Sequence, residues 1–476
     1  MAETLRPDLC VIGAGSGGLS VAAGAVQMGA SVVLVERGLM GGDCLNYGCV
    51  PSKALLAAGH VAETVRRGPE FGVEAGEPRV DFPAVQRHVR SVIEAIAPID
   101  SQERFEGLGV TVIRANGTFT GPDELRAGDH VIRPRRFVIA AGSSPMVPPI
   151  EGLDAVPYFT NETIFENDAP LDHLVILGGG PIGLEMAQAH ARLGCRITVV
   201  EMAAPLGKDD PELAAVVVET LQSEGIRILS GTRVTGARMG DGGRGIVVTG
   251  AGPEGEVVVH GSHLLVALGR KPNLDGLGLD AAGIKTTPRG IETDAGLRTS
   301  NRRAFAVGDI AGRQQFTHIA GYHAGIVIRR VLFRLPAKVD DSAVPWVTYT
   351  EPELAQVGLT EREAEAAGHK VRVVRWPFTH NDRAQAERAT TGLVKVVTGK
   401  GGRVLGAGIA GRHAGELIQP WILMVAKRMK IGAMAGIIAP YPTLAEVNKR
   451  AAGDFYTAAL FSNRTRRIVK LLAKLG

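Results

Sequence analysis

Leu9-Cys10-Val11-Ile12-Gly13-Ala14-Gly15-Ser16-Gly17-Gly18 is the stretch that decides the fold. Four apolar residues in a row read as a strand buried on both faces, as in a parallel sheet. The glycines then permit a tight turn into an alanine-rich helix and let the amides at its N-terminus approach a pyrophosphate. Val32-Val33-Leu34-Val35 is the next strand; it ends at Glu36, 23 residues after Gly13, where a carboxylate can hydrogen-bond a ribose hydroxyl. Strand, turn, helix, strand and acid together specify a dinucleotide-binding βαβ unit, which a glycine pattern alone would not.

The unit recurs. Leu174-Val175-Ile176-Leu177 leads into Gly178-Gly179-Gly180-Pro181-Ile182-Gly183, a helix through Leu193, and a strand from Arg196 to Val200 that ends at Glu201, again 23 residues after the first glycine. Two such units imply two dinucleotides, and two cofactors suggest an electron relay. Met202, Ala203 and Ala204 follow the second acid, so no arginine stands ready for a ribose 2′-phosphate and Glu201 would repel one. NADH is expected rather than NADPH.

Directly after the first unit comes Gly42-Asp43-Cys44-Leu45-Asn46-Tyr47-Gly48-Cys49-Val50-Pro51-Ser52-Lys53. Four residues separate the two cysteines, and one helical turn is expected to bring their sulfurs within bonding reach beside the nucleotide. A zinc site would need two more ligands nearby, and the chain has none there; no metal site is expected. Cys10 and Cys195 lie in apolar stretches and read as packing residues.

The length, 476 residues, suggests about three domains. With 53 basic and 49 acidic side chains the formal charge is +4, which leaves no nucleic-acid footprint. The N-terminus shows no signal-peptide pattern, no uncharged apolar run reaches the roughly 18 residues needed to cross a bilayer, and four cysteines do not make a disulfide scaffold. The cytoplasm is the expected compartment. Residues 464–476 are basic and amphipathic, with Ile468, Leu471, Leu472 and Leu475 on one helical face. Docking on its own protein is the first expectation for this helix and contact with a membrane surface the second.

In order along the chain, these motifs resemble those of the class I pyridine nucleotide-disulfide oxidoreductases, the group of mercuric reductase, dihydrolipoyl dehydrogenase and glutathione reductase. The resemblance extends through Ala140-Ala141-Gly142-Ser143, Leu268-Gly269-Arg270-Lys271-Pro272-Asn273, Ala306-Val307-Gly308-Asp309 and Thr348-Tyr349-Thr350-Glu351-Pro352-Glu353. It implies an α/β fold with two Rossmann-like dinucleotide-binding domains, for FAD and NAD, and a C-terminal α+β dimerisation domain. The expected boundaries are 1–150 and 271–340 for FAD, 151–270 for NAD(P) and 341–476 for dimerisation, with the proline-rich stretch Pro145 to Pro149 at the first boundary.

By the same resemblance, Gly13, Gly15, Gly18, Glu36, Gly42, Gly117, Gly142, Ser143 and Asp309 hold FAD, and Gln315, Phe316, Thr317 and His318 line the flavin. Gly178, Gly180, Gly183, Glu201, Val234 and Gly269 belong to the nicotinamide nucleotide. Lys53 and Glu185 form an ion pair beside the flavin. Cys49 is the flavin-proximal thiol and Cys44 the interchange thiol that meets the acceptor.

The departure lies near the C-terminus. Disulfide reductases of the family carry His-Pro-Thr followed by a glutamate, which the partner subunit of a homodimer supplies to move the interchange thiol's proton. Here the stretch is Tyr441-Pro442-Thr443-Leu444-Ala445-Glu446. A phenol with a pKa of about 10 is a poor base near neutral pH beside an imidazole near about 6.5, although it can still donate a hydrogen bond. Mercuric reductases also present a tyrosine there, and thiolates suit soft ions. Against that likeness, no cysteine follows Cys195 and the first strand is expected at Leu9, with no metal-binding domain before it.

The expectation is therefore a mercuric-reductase-like enzyme whose acceptor is small, a metal ion or a disulfide. Dihydrolipoyl dehydrogenase or another disulfide reductase is the alternative, and a flavin redox sensor of low turnover the alternative of another class. His323, His380 and His413 are the candidates for a replacement base. Beyond residue 344, strands are expected at Val371 to Trp376 and Gly392 to Val397, and helices at Ala414 to Met429 and Leu444 to Ala452.

Overall fold

The computed structural model describes residues 3–475. They divide into two compact units: one holds the chain up to residue 178 with 189–202 and 232–340, the other holds 179–188, 203–231 and the chain from 341 on.

The first unit is built on a five-stranded parallel sheet in the order Ala304–Ala306, Arg136–Ile139, Leu9–Ile12, Val32–Glu36, Thr111–Arg114. The decisive strand is central, and its residues alternate between two buried layers. Leu9 and Val11 pack with Leu19 and Ala22 of the helix Ser16–Gln27 and with Ile326 and Val327 of the helix Thr317–Val331. Cys10 and Ile12 face Phe119 and Phe137 on the other side. Burying each branched side chain contributes about 2 kcal/mol, which is why the strand carries no polar position; aspartate at Val11 would break the sheet.

A second parallel group repeats the pattern, with His173–Leu177 between Arg196–Val200 and His263–Val266. An antiparallel sheet of Arg233–Met239, Ile246–Gly252 and Gly255–Gly261 follows the second acid. One expectation needs correction here. Leu9 does not open the first strand of the chain: Glu3–Leu5 precedes it and pairs in parallel with His130–Ile132, a three-residue strand too short to leave a periodic signal.

The second unit contains a five-stranded antiparallel sheet in the order Pro345–Thr348, Glu353–Gly358, Val404–Gly411, Leu393–Thr398, Arg372–Pro377. Phe378 and Trp421 are core residues, packed with Val447 and Ala451 of the helix Glu446–Leu460. That helix runs past its expected end at Ala452. The helix expected from Ala414 to Met429 is instead two, Ala414–Leu417 and Gln419–Ala426, because Pro420 lacks an amide hydrogen and fits only the first turn of a new helix. No helix among the described residues is long and apolar enough to cross a membrane.

The C-terminal helix Asn463–Leu472 buries none of its residues. Within its own chain, then, the helix lies undocked.

Candidate active site

The two cysteines sit on two helices rather than on one turn. Cys44 lies in Gly42–Asn46 and Cys49 opens Cys49–Arg66. The break falls at Gly48, where a Cβ would meet Asp43 Oδ2 at 2.9 Å and Asp43 O at 3.1 Å, so a side chain there would press on Asp43. All four cysteines are free thiols here; Cys49 is exposed, Cys44 is half-buried, and Cys10 and Cys195 are buried.

The two thiols differ in acidity. The hydrogen bond from Cys44 pulls Cys49 down to about 6; burial opposes this, while Thr317 and the charge of Lys53 reinforce it. Cys49 Sγ lies 3.4 Å from Thr317 Oγ1. Its place at a helix N-terminus favours the thiolate as well. The same hydrogen bond and burial push Cys44 up, so the pair holds one thiolate and one thiol.

Asp43 braces this segment. Its Oδ1 is 2.9 Å from Arg270 Nη2 and accepts from Asn161 Nδ2 at 3.1 Å, while the same amide reaches Tyr47 O at 3.1 Å. Arg270 also donates to Ser143 Oγ and Ser143 O, both at 2.8 Å. Ser143 Oγ donates to Asp309 Oδ2 at 2.5 Å. Burial raises the Asp309 carboxyl and the Ser143 hydroxyl pulls it back. Sequence reasoning named Ser143 and Asp309 but missed Asp43, Asn161 and Arg270 as one network. Arg270 stood in a quoted motif, whereas nothing in the sequence marks Asn161.

The first glycine turn meets a direct test for FAD. A Cβ on Gly13 (φ +104°) would lie 2.4 Å from Ala140 O, and one on Gly18 would lie 1.8 Å from Gly13 O. Gly15 caps the helix Ser16–Gln27 with no side chain in front of its amides. These residues fit a pyrophosphate. Glu36 closes the turn, accepting from Ala14 N at 2.5 Å and Gly38 N at 2.6 Å.

Gly42 (φ +62°) lies against the turn, since a Cβ there would be 2.7 Å from Gly15 Cα. Gly117 is walled by Val35 and Leu125, and Gly142 has φ +66°. Gln315, Thr317 and His318 are exposed, Phe316 is half-buried, and Phe316 and His318 stack with ring centroids 5.2 Å apart. Lys53 Nζ donates to Ser52 Oγ at 3.4 Å.

The second turn repeats the geometry. Gly178 (φ +109°) would place a Cβ 2.4 Å from Ala267 O, whereas Gly180 faces open space, so these residues fit a nucleotide too. Gly183 lies in the helix Pro181–Arg192, Val234 in the strand Arg233–Met239, and Gly269 has φ +111°. Glu201 follows the strand Arg196–Val200, and its carbonyl accepts from Thr232 N at 2.9 Å. Glu185 is buried and its Oε1 accepts from Tyr349 N at 3.0 Å.

The family description "Pyridine nucleotide-disulphide oxidoreductase" matches residues 7–324, and that family's dimerisation domain matches residues 344–452. The chain belongs to this family. Its members are FAD-dependent and take electrons from NAD(P)H, so the protein is an oxidoreductase. A mercuric reductase from Streptomyces lividans is 37% identical over 460 residues, covering 94% of this chain and 96% of that protein. A dihydrolipoyl dehydrogenase from Thermus scotoductus is 35% identical over 470 residues, covering 95% and 98%. Among solved structures, the Cu(II) complex of the HOCl-induced flavoprotein disulfide reductase RclA from Escherichia coli superposes with a TM-score of 0.82 at 25% identity, covering 93% of this chain and 98% of that one.

At the C-terminal end of this oxidoreductase Tyr441 and Glu446 take separate partners. Tyr441 is exposed and its hydroxyl donates to Asp382 Oδ2 at 2.9 Å, which raises the phenol's pKa. Glu446 pairs with Arg450 Nη2 at 2.7 Å, one helical turn along. Of the histidines considered as replacement bases, His323 is buried and its Nδ1 accepts from Gly308 N at 3.2 Å, and His380 packs edge-on against Trp376. His413 caps the helix Ala414–Leu417 with φ +58°.

Proposed function

We propose that this oxidoreductase takes electrons from NADH and delivers them, by way of FAD and the Cys44–Cys49 pair, to a soft metal ion, as a mercuric-reductase-like enzyme. One observation carries the reading: a thiolate and a thiol are held next to each other beside the first nucleotide turn, while the residue at the family's base position is a phenol. The mercuric reductase likeness over nearly the full length of both chains supports it.

The chemistry that FAD supplies when bound is transfer of an electron pair from NADH to a neighbouring sulfur or acceptor. Gly13, Gly15, Gly18 and Glu36 hold its nucleotide half on this reading, with Gly42, Gly117, Gly142, Ser143 and Asp309 completing the cradle. Gln315, Phe316, Thr317 and His318 line the ring, with Lys53 and Glu185 as an ion pair beside it. Gly178, Gly180, Gly183, Glu201, Val234 and Gly269 hold NADH.

Cys49, with its lowered pKa, is the flavin-side sulfur, and Cys44 meets the acceptor. A soft divalent ion displaces the Cys44 proton and takes both sulfurs as ligands; NADH becomes NAD+, its two electrons would reduce the ion to the uncharged metal, the proton of the hydride goes to solvent, and loss of the metal frees both sulfurs, Cys44 taking a proton back. Tyr441, kept protonated by Asp382, donates a hydrogen bond and does not act as a base. On this reading residues 1–150 and 271–340 serve FAD, 151–270 serve the nicotinamide nucleotide and 341–476 serve dimerisation. The working form is a cytoplasmic C2 homodimer in which Tyr441 reaches the partner subunit's site.

Initial rates of NADH oxidation with mercuric ion, cupric ion, lipoamide and glutathione disulfide test the proposal. The expected result is the highest kcat/KM with mercuric ion and its loss in Cys44→Ala. The dihydrolipoyl dehydrogenase likeness keeps a second reading, and lipoamide turnover above that with mercuric ion would put it in place of the first.

A further inference from the structure

The helix Asn463–Leu472 serves neither the nucleotide sites nor the sulfur chemistry. It starts where Ser462 Oγ accepts from Thr465 N at 3.2 Å, and Thr465 Oγ1 ties back to Ala459 O at 2.8 Å. Ile468, Leu471, Leu472 and Leu475 follow the 3, 4, 7 spacing of one helical face and are 46%, 63%, 56% and 80% exposed. Leu460 and Phe461, just before the helix, are 58% and 67% exposed. Arg466 and Lys470 fall on the opposite face and Arg467 and Lys474 flank the apolar one, while Arg464, four residues before Ile468, stands at the N-terminal end of the apolar face; residues 463–475 contain no acid.

This face needs an occupant that accepts leucines and attracts cations together. A second copy of the chain would cover the leucines but brings two identical cationic helices together, and the dimerisation match ends at residue 452, before the helix begins. A nucleic acid would use the cations and leave the leucines in water. An anionic lipid surface satisfies both, because the apolar face can lie at the boundary of headgroups and acyl chains while the basic face stays at the phosphates.

We propose that the C-terminal helix docks this oxidoreductase onto an anionic lipid surface. Leu460 and Phe461 deepen the apolar contact at its start. Ile468, Leu471, Leu472 and Leu475 enter the interface, and each basic side chain strengthens binding about fivefold.

The flavin-loaded full-length protein is sedimented with vesicles of phosphatidylcholine containing phosphatidylglycerol and with vesicles of phosphatidylcholine alone. Binding is expected to the first and not to the second, with release at about 0.5 M salt as the charges are screened. Arg466→Gln with Arg467→Gln should weaken binding about thirtyfold. Leu471→Ser with Leu472→Ser should weaken it more than about tenfold at unchanged NADH oxidation, which shows the variants are folded.

No sedimentation with anionic vesicles, or equal sedimentation with neutral ones, overturns the proposal. So does a leucine variant that becomes monomeric by light scattering, which would assign the face to the partner subunit. Retention of wild-type protein on an RNA oligomer in preference to anionic vesicles would overturn it in favour of nucleic acid.

Discussion

The two nucleotide turns are nearly superimposable in their hydrogen bonds and differ in what each is attached to. Gly13 N donates to Val35 O at 2.8 Å and Gly178 N to Val200 O at 2.9 Å; Leu19 N reaches Gly15 O at 2.9 Å and Leu184 N reaches Gly180 O at 3.0 Å. Even the tie that closes each loop recurs. Gly41 N donates to Ala14 O at 2.9 Å and Leu206 N to Gly179 O at 3.0 Å, each five residues after its acid.

After that tie the two regions diverge. Gly42 packs on Gly15 and opens the helix of Cys44, whereas Leu206 leads to the helix Pro211–Ser223, which carries no cysteine, and Gly180 stays open. A closed turn joined to the redox segment suits a nucleotide that is retained, and an open one suits a nucleotide that comes and goes.

The largest expected effect breaks or keeps this contrast directly. Gly18→Ala forces a Cβ onto Gly13 O and should cut bound flavin, read as the ratio of absorbance at 450 and 280 nm, by more than about tenfold. Gly180→Ala should keep its colour and raise the KM for NADH about tenfold, as a methyl enters the space of the pyrophosphate. Equal loss of flavin in both would abolish the distinction between a held and an exchanging nucleotide.

The two acids sharpen it further. Glu201→Arg should raise the ratio of kcat/KM for NADPH over NADH about a hundredfold by replacing repulsion with a charge-assisted pair. Glu36→Arg should lower flavin content and leave that ratio alone; a shift in it would mean the assignments are reversed.

A smaller effect reads the sulfur pair. Because Cys49 is lowered to about 6, its thiolate is present above that pH and is lost as pH falls through it. Alkylation of Cys49 in the reduced protein should rise through pH 6 and level off by about pH 7. Cys44→Ala removes the leading cause and should move the midpoint upward, towards that of an ordinary thiol at about 8.5. An unchanged midpoint would show that Lys53 and Thr317 suffice. Gly42→Ala, whose methyl would press on Gly15, should disturb this midpoint and the flavin content together.

The smallest effect concerns Asp382. Asp382→Ala removes the hydrogen bond and the charge that raise Tyr441, so the ultraviolet titration of that phenol should fall back towards about 10. Turnover should change by about two- to threefold, the scale of one exposed hydrogen bond.

The sheet of the first unit was legible because Leu9 to Ile12 and Val32 to Val35 are uninterrupted apolar runs bounded by glycine and acid, a local signal. The cysteine pair was legible as a pair, but not as a join between two helices, since Gly48 matters through a contact of its own with Asp43. Asp43, Asn161 and Arg270 come together only through the sheet, at separations no spacing rule covers. Tyr441 was noticed through its motif, whereas its partner Asp382 lies 59 residues earlier, outside that motif, and Glu446 is held by Arg450 one turn along. The split of the helix at Pro420 was missed by the expectation of one helix from Ala414 to Met429, although proline lacks the amide hydrogen that an interior helical position donates.

The backbone bridge between Gly15 and Gly41 has a practical result. Heat or denaturant that loosens the cysteine helices pulls on the phosphate turn as well, so loss of pigment and return of Cys49 to an ordinary thiol are expected together. The yellow of a stored sample would then gauge its remaining thiol competence, with no acceptor present.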